Sequence, residues 1–298
     1  MPELTEVEIT RQKLLPAVLG RRVSGFFCDW PRGLKGASPA SVRRDITGRT
    51  IESVTRHGKA LFFKLSDKPE RAMAIHLRMS GRLAVTKSAK EGKGSKGSKA
   101  SDGRWVHFRW RLSPRHGSGQ AGRVDLRFVD PRKFGIVWYG SPAALARDSY
   151  LGALGPDAAG ISRQTLHAAL RQTRGMVKAA LLRQDVIAGI GNIIADESLW
   201  RARIHPRAAL ENIEDAGLNR FHRSLAQTLR AMRKAGGTSL RNWGEPSGRL
   251  GRYQDARLVY GRSGKPCPRC RTRLTRLVVA GRGTTVCPNC QRLQTALS

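Results

Sequence analysis

The chain reads as an α+β, multidomain protein: an N-terminal antiparallel β-sandwich with a flanking helix, a helical domain, and a small C-terminal hairpin stapled by metal. Three observations predict this. Short runs rich in Val, Ile and Phe, broken by Gly, Pro or Asp, fill the stretch from Arg22 to Gly140. From about residue 141 the apolar residues recur at helical intervals instead. Four of the five cysteines crowd near the C-terminus as two CxxC pairs. A chain of 298 residues, 40% of them hydrophobic, can bury more than one core.

Residues 2–19, "PELTEVEITRQKLLPAVL", place Val7, Ile9, Leu14, Leu15 and Val18 at helical spacing, and Gly20 is a natural stop. Strand-like segments follow: "RVSGFFCDW", "RTIESVTRHGKALFFKL", "MAIHLRMSGRLAV", "RWVHFRWRL" and "VDLRFVDPRKFGIVWYG". Six to eight such strands without interleaved helices predict the sandwich. Two polar interruptions break the series. "KSAKEGKGSKGSKASDG", residues 87–103, sets five lysines among Gly and Ser, and its burial cannot offset the entropy of ordering; it reads as a disordered basic hairpin tip. "PRHGSGQAG" reads as a second, shorter tip.

The helical series comprises "SPAALARD", "SRQTLHAALRQ", "MVKAALLRQ", "IIADESLWRARI" and "NRFHRSLAQTLRAMRKAG". Ser162 and Asn219 are the expected N-caps, and Gly236 with Gly237 closes the last helix. The expected division is a β domain over 1–140, a linker over 141–158, a helical domain over 159–256 and the cysteine module over 257–298.

Charge narrows the function. Lys and Arg number 55 against 22 Asp and Glu, a net charge of +33. So basic a surface calls for an anionic partner, and nucleic acid fits best because neutralised phosphates release counterions. No apolar run approaches the roughly 18 residues a membrane span needs, and the first ten residues carry three glutamates rather than a secretory signal. A lone Cys28 beside a tight foursome suits a reducing compartment and a metal.

Cys267, Cys270, Cys287 and Cys290 form two CxxC turns separated by 16 residues. Four thiolates complete a tetrahedral Zn²⁺ shell, and with no open position the ion is structural. The segment between the pairs reads as a two-stranded hairpin turning at "AGRG", which puts Arg282 at its tip, where the cation can reach a nucleic-acid groove; a solvated arginine fits the tail alone equally well. In "RQDVIAGIGNIIADESLW", Gly189 and Gly191 let backbone approach something closely, and Asn192 is placed to cap the next helix and donate to a phosphate; an ordinary interhelical turn fits the same letters. "VDPRKFG" and "HLRMSG" each set a large side chain near a potential cation, Phe134 with Arg132 and Met79 with His76. Such wedges enter base stacks, although either apolar residue alone also suits a core. "HGKALFFKL" puts Lys59 at the start of a strand.

Together "MPELTEVE", "HGKALFFKL", "HLRMSG", "DPRKFG", "GIGNIIADESLW", "IHP", "GGTSL", "VYGR" and the four-cysteine finger resemble, in that order, the bacterial formamidopyrimidine-DNA glycosylases, relatives of endonuclease VIII. The resemblance spans nearly the whole chain. It implies a helix-two-turn-helix domain in the middle, and a bifunctional base-excision glycosylase and abasic-site lyase acting on duplex DNA with oxidised purines. It implies Pro2 as nucleophile, Glu3 as the carboxylate that handles the proton at the sugar, Glu6 as an active-site acid and Lys59 as the catalytic lysine. It further implies Met79, Arg132 and Phe134 as the trio that fills the gap left by the extruded base, and His76, Asn192 and Arg282 as phosphate anchors. It implies one Zn²⁺, a monomer, a cytoplasmic place on nucleoid DNA, and a base-covering loop around residues 244–251. Thr5, Lys133 and Arg252 depart from the family pattern, as does the long insert at 87–103. Two other readings remain open: an endonuclease VIII-like preference for oxidised pyrimidines, and a zinc-containing nucleic-acid-binding protein without activity.

The chemistry stands without the name. An α-amine with a reference pKa of about 8 is roughly 10% unprotonated at neutral pH, whereas a lysine at about 10.4 is below roughly 0.1%. Once Met1 is removed, Pro2 offers a secondary amine, and a secondary amine forms an iminium that is cationic at any pH.

Overall fold

Alternation along residues 22–140 resolves into two sheets. The structure is a computed structural model that describes residues 2–88, 103–114, 122–239 and 243–293. It divides into two compact units, one comprising Pro2, Glu6–Gly152 and the described part of Ser239–Gly251, the other Glu3–Thr5, Ala153–Thr238 and the chain from Arg252 onward.

In the first unit helix α1 (Leu4–Val18) leads into β1 (Arg22–Cys28), β2 (Leu34–Lys35), α2 (Pro39–Ile46), β3 (Ile51–His57), β4 (Ala60–Leu65), β5 (Arg71–His76), β6 (Arg82–Lys87), β7 (Val106–Ser113), β8 (Val124–Val129), β9 (Ile136–Gly140) and α3 (Pro142–Ala146). One sheet has the order β1-β7-β8-β6 and the other β2-β9-β5-β4-β3. Both sheets turn residues into one core, Phe26, Phe108, Trp110, Leu126 and Phe128 from one and Val54, Phe63, Met73, Ile75 and Val137 from the other, with bulges in β1 and β3 breaking the strict alternation. Val7, Leu14 and Val18 of α1 join the same core, which accounts for the helical spacing in the N-terminal segment.

Two features correct the expectation of an uninterrupted antiparallel array. Strand β2 pairs with β9 in parallel. Helix α2 intervenes before β3, with Ser38 accepting from the Ser41 N–H at 3.2 Å, Pro39 in the first turn, and Val42 and Ile46 buried four residues apart. Cap, proline and i,i+4 pair were all present in the letters. The expectations for the two polar tips fall on 89–102 and 115–121, outside the described residues.

The second unit holds α4 (Arg163–Arg171), α5 (Val177–Leu182), α6 (Asn192–Ala202), α7 (Asp215–Lys234), α8 (Tyr253–Ala256) and the hairpin β10 (Thr275–Val279) with β11 (Arg282–Val286). Its core gathers Leu166, Leu181, Ile187, Ile194, Leu199, Phe221 and Met232, and Leu4 from the start of the chain enters it too. Ser162 caps α4 as expected, accepting from Thr165 N–H at 3.0 Å. Asn219 does not cap α7. That helix starts at Asp215, because Leu218 is already buried on its apolar face and Asp215 suits the positive end of the helix dipole. Gly236 and Gly237, at φ +71° and +81°, end it. Among the described residues no helix is long and apolar enough to cross a membrane.

Candidate active site and nucleic-acid interface

In the first unit Pro2, Glu6, Lys59 and His76 are all buried. Lys59 follows Gly58 (φ +56°) in the tight β3–β4 turn, and Ala60 pairs across the sheet with His76. The His76 ring meets Tyr150 edge-on at 5.3 Å, and its Nδ1 accepts the Arg78 N–H at 2.9 Å, leaving the ring proton on Nε2. Burial first, then the cations of Arg78 and Lys59, push the imidazole pKa down to about 3. His76 is therefore a neutral donor rather than the cation its sequence position allows.

Met79 and Phe134 are 49% and 43% exposed, unusual for large apolar side chains. The Arg132 guanidinium lies over the Phe134 ring, 4.5 Å from its centre. These residues sit on the β5–β6 and β8–β9 connections, and one buried carboxylate holds both. Asp130 accepts from Phe134 N–H (2.8 Å), Gly135 N–H (2.7 Å), Arg132 N–H (3.3 Å) and Ser80 Oγ (2.5 Å). It lets Lys133 take φ +52°. Neither Asp130 nor Ser80 was singled out from sequence; the signal was an Asp opening a turn, four residues ahead of an exposed aromatic.

In the second unit Glu3 does what Asn192 was expected to do. The N-cap position of α6 is Gly191, which has no side chain to offer, and Asn192 is the first helical residue. The Glu3 carboxylate fills the gap: Oε1 accepts from Ile193 N–H at 2.8 Å and Oε2 from Ile194 N–H at 3.0 Å. A Cβ on residue 191 would lie 2.2 Å from Glu3 Cδ, and one on residue 189 would lie 2.5 Å from Leu4 Cδ1. Both glycines are thus required by the approach of the chain's own N-terminal residues.

Asn192 turns its amide to the Gly283 carbonyl at 2.9 Å. Arg282, the first residue of β11, is exposed beside the tight Ala280–Gly281 turn, whose φ values are +49° and +68°. Beneath it Lys178 is fully buried against Asp196, Nζ to Oδ1 2.5 Å, with Thr284 Oγ1 at 2.6 Å. Burial pushes the Asp196 carboxyl up to about 6 and draws the Lys178 ammonium down. Glu197 next door accepts from Tyr253 Oη and from the N–H groups of Leu258, Val259 and Tyr260. Tyr253, not position 252, carries the buried aromatic of this turn. In the stretch preceding it, Glu245 and Arg249 are joined by a 2.9 Å backbone bond and Leu250 is 61% exposed.

The Sγ atoms of Cys267, Cys270, Cys287 and Cys290 lie within 4.8 Å of one another. Cys270 and Cys287 are 3.4 Å apart, Cys267 and Cys290 4.0 Å. Zn–S bonds of about 2.3 Å in a tetrahedron place sulfurs roughly 3.8 Å apart, so the four fit one structural zinc. Gln291 supports the knuckle, accepting Cys287 N–H at 3.0 Å and donating to Ile204 O at 2.8 Å, while Arg269 stacks on Trp200 at 4.2 Å.

Three family models match in series: the formamidopyrimidine-DNA glycosylase N-terminal domain over residues 1–137, the H2TH domain of the same enzymes over 153–242, and the zinc finger found in FPG and IleRS over 264–293. The chain belongs to the formamidopyrimidine-DNA glycosylase family. The family's enzyme from Chloroflexus aurantiacus is 39% identical over 98% of both chains, and that from Bacillus subtilis 34% identical over 98% of this chain and 99% of its own. Among solved structures, a Lactococcus lactis FPG variant bound to Fapy-dG-containing DNA superposes with TM-score 0.81 at 28% identity, and MutM bound to carbocyclic 8-oxo-G DNA with 0.81 at 29%; each covers 98% of this chain and all of its own. The expected α+β fold with its terminal zinc finger is the fold of this family.

Two outcomes test the geometry. Asp130→Ala leaves the buried N–H of Gly135 and the half-buried N–H of Phe134 without an acceptor, and urea denaturation should show a loss of about 3 kcal/mol; a loss under about 0.5 kcal/mol refutes the clamp. For His76, the unfolded ring protonates near 6.5 and the folded ring only near 3. Its contribution is complete above 6.5 and is lost as pH falls through that interval, by up to about 1.4 kcal/mol per pH unit. His76→Gln should therefore lose less thermal stability than the parent between about pH 7 and about pH 4. Parallel losses would mean that His76 titrates normally.

Proposed function

We propose that the protein is a base-excision-repair enzyme, a bifunctional DNA glycosylase and abasic-site lyase that removes oxidised purines such as 8-oxoguanine and formamidopyrimidines. The observation that carries the reading is the Glu3 carboxylate, fixed by two helix N–H groups immediately next to Pro2 in the chain. With Met1 removed, the Pro2 nitrogen attacks the sugar C1′ and the damaged base departs, with Glu3 placed to move the proton at the sugar ring. The amine loses its proton, the C1′–O4′ bond breaks with O4′ taking a proton from Glu3, and the C1′=N iminium that results acidifies the C2′ proton; loss of that proton expels the 3′-phosphate by β-elimination, and δ-elimination then expels the 5′-phosphate.

Lys59 supplies buried positive charge in the Pro2 unit, and Glu6 a carboxylate of opposite sign. Flipping the base costs roughly a few kcal/mol. Met79 and Phe134, held exposed by Asp130, suit the space the base vacates, with Arg132 beside them. His76 contributes an N–H, Asn192 and Arg282 an amide and a cation, towards the phosphates of the duplex. The zinc holds the finger's shape and takes no part in the bond changes. The relatives' names and the DNA complexes support the oxidised-purine class. The thiolate-rich finger suits a reducing compartment, and we place the enzyme in the cytoplasm on nucleoid DNA.

Borohydride added during turnover on 8-oxoguanine duplex should trap a covalent adduct, and peptide mapping should find the DNA on the N-terminal proline. An adduct confined to a lysine-containing peptide overturns the assignment of Pro2, and absence of nicking on abasic duplex overturns the enzyme reading altogether. Cys287→Ser should lose the zinc and weaken duplex binding at least about tenfold, because an unfolded finger loses its phosphate contacts. Undiminished binding across a salt titration refutes a DNA-anchoring finger.

A further inference from the structure

Three consecutive residues of β11 are each tied to a different group of the helical core. Gly283 O accepts from Asn192 Nδ2 (2.9 Å), Thr284 Oγ1 from Lys178 Nζ (2.6 Å), and Thr285 N–H donates to Asp196 Oδ2 (3.0 Å). Thr284 Oγ1 also donates to the Arg282 carbonyl at 3.0 Å, so the same hydroxyl fixes the backbone that carries the exposed cation. Lys178 and Asp196 are completely desolvated, and the pair is close enough to the Glu3 carboxylate for Lys178 to feel its charge.

A hairpin could be joined to a helix by apolar packing alone, with sliding freedom. A fully buried ion pair is a poor stabiliser, because desolvation cancels most of the attraction, but it tolerates little displacement before a charge is left unpaired. What it provides is register. The register it sets here is that of Arg282 relative to the first turn of α6, where Asn192 and the Glu3 carboxylate lie.

We propose that Lys178, bridging Asp196 and Thr284, is a positioning residue for DNA binding: it locks the zinc hairpin so that Arg282 and Asn192 meet the phosphate backbone at one fixed spacing. The inference rests on the DNA-binding reading given above. Thr284→Val is the mild probe, since it removes the hydroxyl while keeping the zinc ligands, the ion pair and the strand. Duplex containing a stable abasic-site analogue is titrated at several salt concentrations with the zinc-loaded full chain, with Thr284→Val, with Arg282→Ala and with the double variant.

Thr284→Val should bind about fivefold to tenfold more weakly at low salt, with a salt slope shallower by about one, while retaining one zinc. In the Arg282→Ala background it should add less than about twofold, because the hydroxyl acts through the arginine. A purely structural hydroxyl would lower thermal stability with the salt slope unchanged. That result, or full additivity of the two substitutions, or Arg282→Ala binding as the parent does, overturns the proposal. Lys178→Met with Asp196→Leu, an apolar replacement of the pair, should reproduce the shallower slope with zinc retained; a parental slope in that variant also overturns it. If the parent itself binds no duplex, it is the DNA-binding reading that has failed, so the two failures are told apart.

Discussion

The Glu3 carboxylate on the first turn of α6 is the constraint on which the site depends. A helix starting at a glycine leaves its first N–H groups without a side-chain partner, and α6 is buried along nearly its whole length, so water is no substitute. A residue 190 positions earlier in the sequence supplies the acceptor. Capping interactions of this kind are worth about 1–2 kcal/mol, and a charged acceptor at the positive end of a helix sits at the upper end of that range. The same contact pins the carboxylate of residue 3 on the first turn of α6. A chain that let Glu3 go would leave the Ile193 and Ile194 N–H groups without their acceptor.

Asp130 applies similar logic in the other unit. Exposed Met79 and Phe134 cost solvation, and their connections contain left-handed residues, Arg78 at φ +53° and Lys133 at φ +52°, that ordinary side chains adopt reluctantly. One buried carboxylate taking four hydrogen bonds offsets this by satisfying the N–H groups that the tight turn would otherwise strand. The exposure of Met79 and Phe134 is thus built into the fold by a group that itself never meets solvent.

What the letters disclosed follows from the range of the interactions. Periodicity is local, so the strands, most helices and the two CxxC turns were legible. So was the zinc, whose ligands come in pairs only three residues apart. The start of α7 was misread because a glycine and an asparagine within "DAGLNRF" look like a boundary, whereas Leu218 buries and carries the helix through. The cap of α6 was assigned to Asn192 because a sequence window cannot contain Glu3. The letters "HLRMSG" allow His76 to be a cation, and only its burial in the fold makes it neutral. The Lys178–Asp196–Thr284 bridge spans 106 residues between its ends, and nothing short of the fold brings them together.

A net charge of +33 would bind any polyanion, and counterion release makes no distinction between one stretch of duplex and another. Discrimination has to come from groups whose spacing is fixed, because a cation on a loose chain follows the phosphate wherever it lies. The structure spends its buried polar groups on that problem. Glu3, Asp130 and Asp196 are all buried, and each accepts from a backbone N–H next to, or in the same short segment as, a residue proposed to meet DNA. An acidic interior holding selected basic and apolar tips in place is a physical means by which an indiscriminately cationic protein can still recognise one distorted nucleotide.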